Sequence, residues 1–398
     1  MTASRHLAIF VRSLSGGGAE RVLLNLSKAF AARGHRVDLL IAEAGGPLEA
    51  DVTLPVRLQL LQTPPKRFTR LPDLAKFPLR EWSTLAPLLR RKPPYVIGTL
   101  PALVAYLERE RPDAMLSALH WNTIVSIWAN RLAGVATRQV VSERNVLSRE
   151  VDGSTKRYMQ HLIPLVSAYY PRADGIIAVS DGVADDLSRV AGIARERITT
   201  IYNPTVTPDL EAKAAAEADH PWFGDGGPPV VLAVGRLQKQ KDYPTLLRAF
   251  AKVRERRPLR LIILGEGKDR AAIEALIAEL GLDAAVSMPG FAKNPIAYMA
   301  RAALFVLASR WEGLPNVLIE ALAVGCPVVS TDCESGPSEI LEGERWGPLV
   351  AVGDVDALAA AMDETLEKPP DREWLRGGAQ RFTLDRVADR YLEILLGE

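Results

Sequence analysis

The chain has 398 residues with 49 basic and 48 acidic side chains, a formal charge of +1 at neutral pH. That length exceeds one ordinary core and suits two domains of roughly 200 residues each. The near-balance of charge excludes a global pull toward nucleic acid, so an electrostatic partner must meet a local patch. Alanine and aliphatic residues dominate over few aromatics, as helices covering parallel sheets require, so a doubly wound α/β fold is the default. Cys326 and Cys333 are the only cysteines. They lack C-x2-C spacing and are expected to be reduced thiols. Met1 to Arg5 enters a strand without an apolar signal core, and no run reaches the ~18 apolar residues of a membrane span. A cytoplasmic location is the expectation.

In chain order, Leu7 to Val11 reads as a strand and Ala19 to Ala32 as a helix stopped by Gly34, with Gly16, Gly17 and Gly18 between them. A glycine loop there is either a structural turn or a place where backbone approaches a ligand. The dinucleotide fingerprint fails because Arg21 occupies the third glycine position, and no G-x4-G-K-[ST] loop occurs. Strands follow at Val37 to Ile41, Val56 to Leu61, Ala114 to Ser117, Gln139 to Ser142, Gly175 to Val179 and Ile198 to Ile201, with helical patterns between most of them. Such alternation means one parallel sheet with helices on both faces, whose ligands bind beyond the carboxyl ends of the strands. His120 falls there, before a helix over Asn122 to Leu132, as either a packed or capping residue or a site residue. Ser142-Glu143-Arg144-Asn145 leaves the next strand and either faces a ligand or forms a solvated loop, the second reading being the stronger. Ser180 reads as a helix N-cap.

Between Pro64 and Pro94, Lys66, Arg67, Arg70, Lys76, Arg80, Arg90, Arg91 and Lys92 oppose only Asp73 and Glu81, with large apolar residues interleaved. One reading is a helix packed on the sheet with a basic wet face. The favoured one is docking of segment 66–92 on an anionic membrane surface, each cation contributing about 1 kcal/mol. No nucleic-acid motif accompanies these charges, and no nucleic-acid partner is expected.

After Asn203-Pro204, the stretch Thr205 to Pro229 is rich in Pro, Ala, Gly and acid and marks a crossover. Val230 to Val234 starts a second sheet. It leads into Gly235-Arg236-Leu237-Gln238-Lys239-Gln240-Lys241-Asp242, where Arg236 and Lys241 can meet a diphosphate whose charge grows as a leaving group departs. A plain basic surface loop is the alternative. Leu259 to Leu264 ends in Gly265-Glu266-Gly267, which suits ligand room or a tight turn, and Val286 to Met288 ends in Gly290-Phe291.

The chain is organised around Ser309 to Asp332. Strand Leu304 to Leu307 runs into a loop with Glu312 and Gly313. A helix is expected from Leu314, with Pro315 in its first turn, through Ala323, stopped by Gly325 before the strand Val328 to Thr331. Glu320 then lies about five residues inside, roughly 7 Å along the axis, and leans back toward the start. Between the two acids lies the helix-start segment of Gly313, Leu314, Pro315, Asn316 and Val317, where the N–H groups of a first turn, proline apart, have no partner within the helix and carry partial positive charge suited to phosphate. Sugar at Glu312, phosphates at the amides and ribose at Glu320 fit a nucleotide sugar.

Across Ser309 to Val329 this segment resembles the E-x7-E signature of the retaining glycosyltransferases of family four. The resemblance covers almost the whole chain. It implies the GT-B fold: α/β, two Rossmann-like doubly wound parallel-sheet domains facing across a cleft. Residues 1–205 would bind acceptor, 206–383 nucleotide sugar, and the helix in 384–398 would pack back on the first domain. It further implies that Gly16, Gly17 and Gly18 lie beside donor diphosphate and acceptor, and that His120 reaches the transferred sugar. Gly235, Arg236 and Lys241 would bind phosphate, Gly265 and Gly267 would admit nucleotide, and the Phe291 loop would sit beside the base. No cofactor or metal is expected, Arg236, Lys241 and helix amides replacing a divalent cation. Ser335-Gly336-Pro337 stands where many relatives have a double glycine, a departure resembling a subset that uses UDP-hexose or UDP-N-acetylhexosamine. The implied reaction moves that sugar to a polyprenyl-diphosphate-linked, other lipid-linked or cell-envelope glycan, at the inner face of the cell membrane. The rivals are a same-fold epimerase, an α-glucan phosphorylase and a non-catalytic nucleotide-sugar binder.

Overall fold

A computed structural model of the chain describes residues 4–62, 94–154 and 157–398. The basic and apolar segment 66–92 lies outside the described residues. The chain divides into two compact units, Met1–Pro204 with Leu384–Glu398, and Thr205–Thr383.

The first unit is built on seven parallel strands: β1 (His6–Val11), β2 (Arg36–Ile41), β3 (Arg57–Leu60), β4 (Ala114–Ala118), β5 (Arg138–Glu143), β6 (Gly175–Ala178) and β7 (Ile198–Thr200). Their order is β3-β2-β1-β4-β5-β6-β7. Strand order reverses between β1 and β4, which creates a crevice at their carboxyl ends. Central strands are buried along their length and mostly apolar because helices cover both faces, with Ser117, Gln139, Ser142 and Glu143 as buried polar exceptions. The helix Gly18–Ala32 buries Val22, Leu23, Leu26 and Phe30, and the C-terminal helix Leu384–Leu396 adds Val387, Ala388, Tyr391 and Leu395 to the same core. Each fully buried large apolar side chain contributes about 1.5–3 kcal/mol. Arg33 pairs with Asp385 and Asp389, fixing the C-terminal helix against the Gly18 helix.

The second unit has six parallel strands: β8 (Val230–Val234), β9 (Arg260–Leu264), β10 (Val286–Gly290), β11 (Leu304–Leu307), β12 (Val328–Thr331) and β13 (Leu349–Val350). Their order is β10-β9-β8-β11-β12-β13, reversing between β8 and β11. Leu246, Phe250 and Val253 of the helix Tyr243–Arg254 pack on this sheet with Leu358 and Met362 of Val355–Glu367. The strands up to β12 lie within a residue or two of their expected positions, while the two-residue edge strand β13 was not expected. The decisive helix departs more: it runs Asn316–Ala323, and Pro315 precedes it with ψ 96°, an extended value. Pro315 is therefore not in the first turn, because the preceding loop is tied elsewhere, as described below.

At the amino ends of β1 and β2, buried Asp38 accepts from His6 Nε2 at 3.0 Å, Arg57 Nη2 at 2.7 Å and the Tyr106 hydroxyl at 2.7 Å. Burial alone would raise its pKa, but these hydrogen bonds win and hold the carboxyl well below the usual range. His6, Asp38 and Glu110 are close enough to share an ion. Arg57 already binds both acids, however, making the group an ion-pair network. Among the described residues no helix is long and apolar enough to cross a membrane.

Candidate active site

The loops at the β8/β11 reversal bring Lys241 to Glu312, 71 residues away, with Nζ to Oε1 at 2.5 Å. Glu312 is 7% exposed. Its Oε1 also accepts from Ser309 Oγ at 2.6 Å, while Thr331 Oγ1 holds the Ser309 carbonyl at 2.6 Å. The two loops are stitched along their length. Gln240 Nε2 donates to the Trp311 carbonyl at 2.8 Å, the Arg310 amide to the Gln240 carbonyl at 2.8 Å, and Arg310 pairs with Asp242 at 3.0 Å. A carboxylate and an ammonium are thereby fixed by several independent bonds before any ligand arrives. Arg236, by contrast, is exposed and makes no ion pair among the described residues.

Glu320 is the fifth residue of the Asn316–Ala323 helix and half-buried, with Asn316 and Val317 half-buried at the first two positions. Gly313, Leu314 and Pro315 are buried. Ser335 Oγ donates to the Gly313 carbonyl at 2.8 Å, and Gly336 has φ 93° with the place of its missing Cβ 2.6 Å from Pro315 Cδ. The Ser335-Gly336-Pro337 turn thus braces the entry to the helix and holds Pro315 extended.

The glycines have reasons internal to the chain. A Cβ on Gly265 (φ 142°) would lie 2.0 Å from the Gly235 carbonyl oxygen, and one on Gly267 2.3 Å from that of Leu237. A Cβ on Gly235 would meet Lys241 Cε at 2.9 Å. At Gly265 and Gly267 the loops after β8 and β9 touch backbone to backbone, a close approach that a side chain would block. Phe291, after Gly290 (φ 96°), is 68% exposed.

In the first unit, Gly16 has φ 99°, and Gly17 caps the helix. The Gly17 amide donates to Glu20 Oε2 at 2.7 Å, and Ser15 Oγ donates to Glu20 Oε1 at 2.9 Å. An anion can reach the Gly17 amide only by displacing Glu20; the sequence reading of the Gly16-Gly17-Gly18 loop did not foresee that.

His120 opens the helix His120–Ala133, two residues earlier than expected, just after Leu119 with φ 71°. A non-glycine residue there costs on the order of 1–3 kcal/mol and persists only when its surroundings impose it. The imidazole is buried, with Nδ1 2.8 Å from Glu143 Oε2 and Nε2 2.8 Å from Glu150 Oε2. Burial alone would lower the His120 pKa, but the charges of Glu143 and Glu150 dominate and raise it well above the ordinary value. Tyr170 donates to Glu143 Oε2 at 3.0 Å, and burial and that charge push its phenol upward.

The expectation of a solvated Ser142–Asn145 loop is corrected: Ser142 and Glu143 are fully buried and Arg144 is 5% exposed. Arg144 donates to Ser142 Oγ at 3.1 Å, the Tyr391 hydroxyl at 3.3 Å and Asn203 Oδ1 at 2.6 Å. Alternation at the end of β5 explains the split: Glu143 points to the face of His120, while Ser142 and Arg144, the latter one residue past the strand, meet Tyr391 of the C-terminal helix. Glu150, Tyr170 and Ser309 are the partners that sequence reasoning missed. Ser309 alone carried a signal, three positions before Glu312.

Two doubly wound parallel sheets in one chain, the second with a fixed acid and cation at its switch point, are the architecture of the GT-B fold. Residues 16–207 match the family description "Glycosyltransferase Family 4", and residues 217–382 match "Glycosyl transferases group 1". The N-acetylgalactosamine-N,N'-diacetylbacillosaminyl-diphospho-undecaprenol 4-alpha-N-acetylgalactosaminyltransferase of Campylobacter jejuni is 30% identical over 401 residues, covering 98% of this chain and 99% of that one. The chain therefore belongs to the glycosyltransferases of family four. A lipopolysaccharide 1,6-galactosyltransferase of Escherichia coli is 26% identical over 57% of this chain and 63% of its own. Among solved structures, Anabaena HepE in complex with UDP superposes with a TM-score of 0.74 at 20% identity, covering 99% of this chain and 100% of that one. The last likeness establishes the GT-B fold.

Proposed function

We propose that the protein is a retaining, metal-independent glycosyltransferase that moves a hexose or N-acetylhexosamine from a UDP-sugar to a hydroxyl of a polyprenyl-diphosphate-linked or other cell-envelope glycan. The observation that carries this reading is the Lys241–Glu312 pair, held by Ser309 at the sheet reversal of the second unit. In this role Lys241 and Arg236 take up charge growing on the departing diphosphate, and Glu312 holds sugar hydroxyls. The amides at Asn316 and Val317 receive phosphate, and Glu320 the ribose diol. Gly16, Gly17 and Gly18 border the diphosphate and acceptor, and His120 lies at the sugar near its reacting carbon. The acceptor oxygen bonds to the anomeric carbon on the face from which the phosphate oxygen leaves, and that oxygen takes the acceptor proton.

The C. jejuni relative, by its name, makes an α-linked product on a diphospho-undecaprenol glycan, which favours the lipid-linked acceptor. Common UDP-hexoses carry the sugar in the α configuration, so an α product implies retention. UDP in HepE favours uridine. Segment 66–92 is the proposed membrane-docking surface on the cytoplasmic face.

The test is a calorimetric screen of UDP-, GDP- and ADP-sugars, followed by UDP release with a polyprenyl-diphosphate glycan in EDTA. Binding of a UDP-sugar and release of UDP only with acceptor is expected. Isomerised sugar without acceptor would make the protein an epimerase, and exclusive GDP-sugar binding would overturn the donor.

A further inference from the structure

The His120 cluster carries a conclusion about which group cannot accept a proton. A neutral imidazole has one N–H and one bare nitrogen, and an ionised carboxylate only accepts hydrogen bonds. Both ring nitrogens of His120 stand 2.8 Å from carboxylate oxygens of two different residues. Either both nitrogens carry protons or one acid does. Glu143 takes the Tyr170 hydroxyl on Oε2 and the Arg144 amide at 2.9 Å on Oε1, besides His120, so its oxygens face donors. Glu150 takes Asn145 Nδ2 at 2.5 Å on Oε1 and the imidazole on Oε2. Glu143 meets donors on both oxygens, so it is ionised and Nδ1 carries a proton; on the Nε2 side the proton shared with Glu150 sits on the ring, because the charges of Glu143 and Glu150 hold the imidazole protonated well above its ordinary range.

We propose that Glu143 and Glu150 are positioning residues that clamp His120 as a permanent imidazolium, so that it serves the transfer reaction as a fixed positive charge and never as the general base. This rests on the transferase reading given above. A base needs a lone pair aimed at the proton it removes, and both lone pairs of this ring are occupied by N–H bonds to acids. The deprotonation of the acceptor must then fall to another group, in keeping with the departing phosphate oxygen. The groups facing His120 among the described residues are Glu143 from β5, Glu150 from the helix Leu147–Asp152 and, through Glu143, Tyr170 from the turn Tyr170–Arg172. The Arg144 guanidinium bonds to Ser142, Tyr391 and Asn203 instead.

The test uses the full chain labelled with 15N-histidine, the His120 signals being assigned by their loss in His120→Asn. Both ring nitrogens are expected to remain protonated from pH 6 to 8, and kcat for UDP release should show no limb from this residue in that range. Glu150→Gln keeps the size of the side chain and removes one charge from the half-exposed side of the clamp. In that variant His120 should titrate between pH 6 and 8. Its kcat should fall at least about five-fold from pH 6 to pH 8, with KM for the UDP-sugar within two-fold of the parent. A bare ring nitrogen in the parent at pH 7.5 overturns the clamp. A variant whose His120 titrates while kcat stays flat with pH shows a structural cluster only and overturns the positioning role. The nitrogen spectra need no substrate, so a failed clamp is told apart from a failed transferase reading, in which the parent releases no UDP from any UDP-sugar.

Discussion

Replacing Lys241 by Met tests the central pair of the second unit. Two unit charges at 2.5 Å attract by about 7 kcal/mol at an effective dielectric of 20, before the cost of desolvating them. What a variant reads is the loss on leaving one charge buried without its partner, about 3–5 kcal/mol for well-buried pairs. Lys241 and Glu312 side chains are 14% and 8% exposed, and Ser309 still donates to Glu312, so the lower end, about 3 kcal/mol, is expected. Adding Glu312→Gln removes the stranded charge and should restore about 2 kcal/mol. The assay is calorimetric unfolding of the two single variants and the double variant, read on the transition of residues 205–383, with turnover in parallel. Turnover of Lys241→Met should fall more than ten-fold, at least 1.4 kcal/mol of transition-state stabilisation. A coupling within about 0.5 kcal/mol of zero refutes the ion pair as a structural element, and unchanged turnover removes Lys241 from the chemistry.

Gly265→Ala places a methyl where the Gly235 carbonyl stands and should destabilise the second unit by more than about 2 kcal/mol and weaken UDP binding, as urea unfolding and calorimetry would measure. Cys333 is 4% exposed, and burial together with the charge of Glu312 pushes its thiol up to about 12. Neither it nor Cys326 should react with a maleimide at pH 8 until the chain is unfolded; rapid labelling of the native protein would contradict this. Asp38 has a depressed folded pKa, so its contribution is present above the unfolded value near 3.9 and lost as pH falls through the lower folded value. Asp38→Asn should therefore flatten the stability curve below pH 4, as seen in the pH dependence of the urea midpoint.

The elements and their order were readable because strands buried on both faces leave unbroken apolar runs bounded by glycine and proline. The acid spacing of Glu312 and Glu320 was readable for the same local reason. What escaped were interactions between distant segments. Nothing near Ser335 announces that its hydroxyl fixes Gly313, so the helix start was placed two residues early. Glu150 lies 30 residues from His120 without periodic relation to it. Glu143 and Arg144 looked like loop residues because charge suggests water, yet each is buried against partners supplied from elsewhere in the chain.

The contact of Gly336 with Pro315 bears on how far this part of the chain can change. Any bulkier residue at position 336 strikes the proline ring, so the turn cannot drift by single changes while the segment before the Asn316 helix stays as it is. The two stretches form one exchangeable cassette: a chimaera carrying 333–337 without 313–315 inherits a mismatched joint, and a viable swap transplants both together.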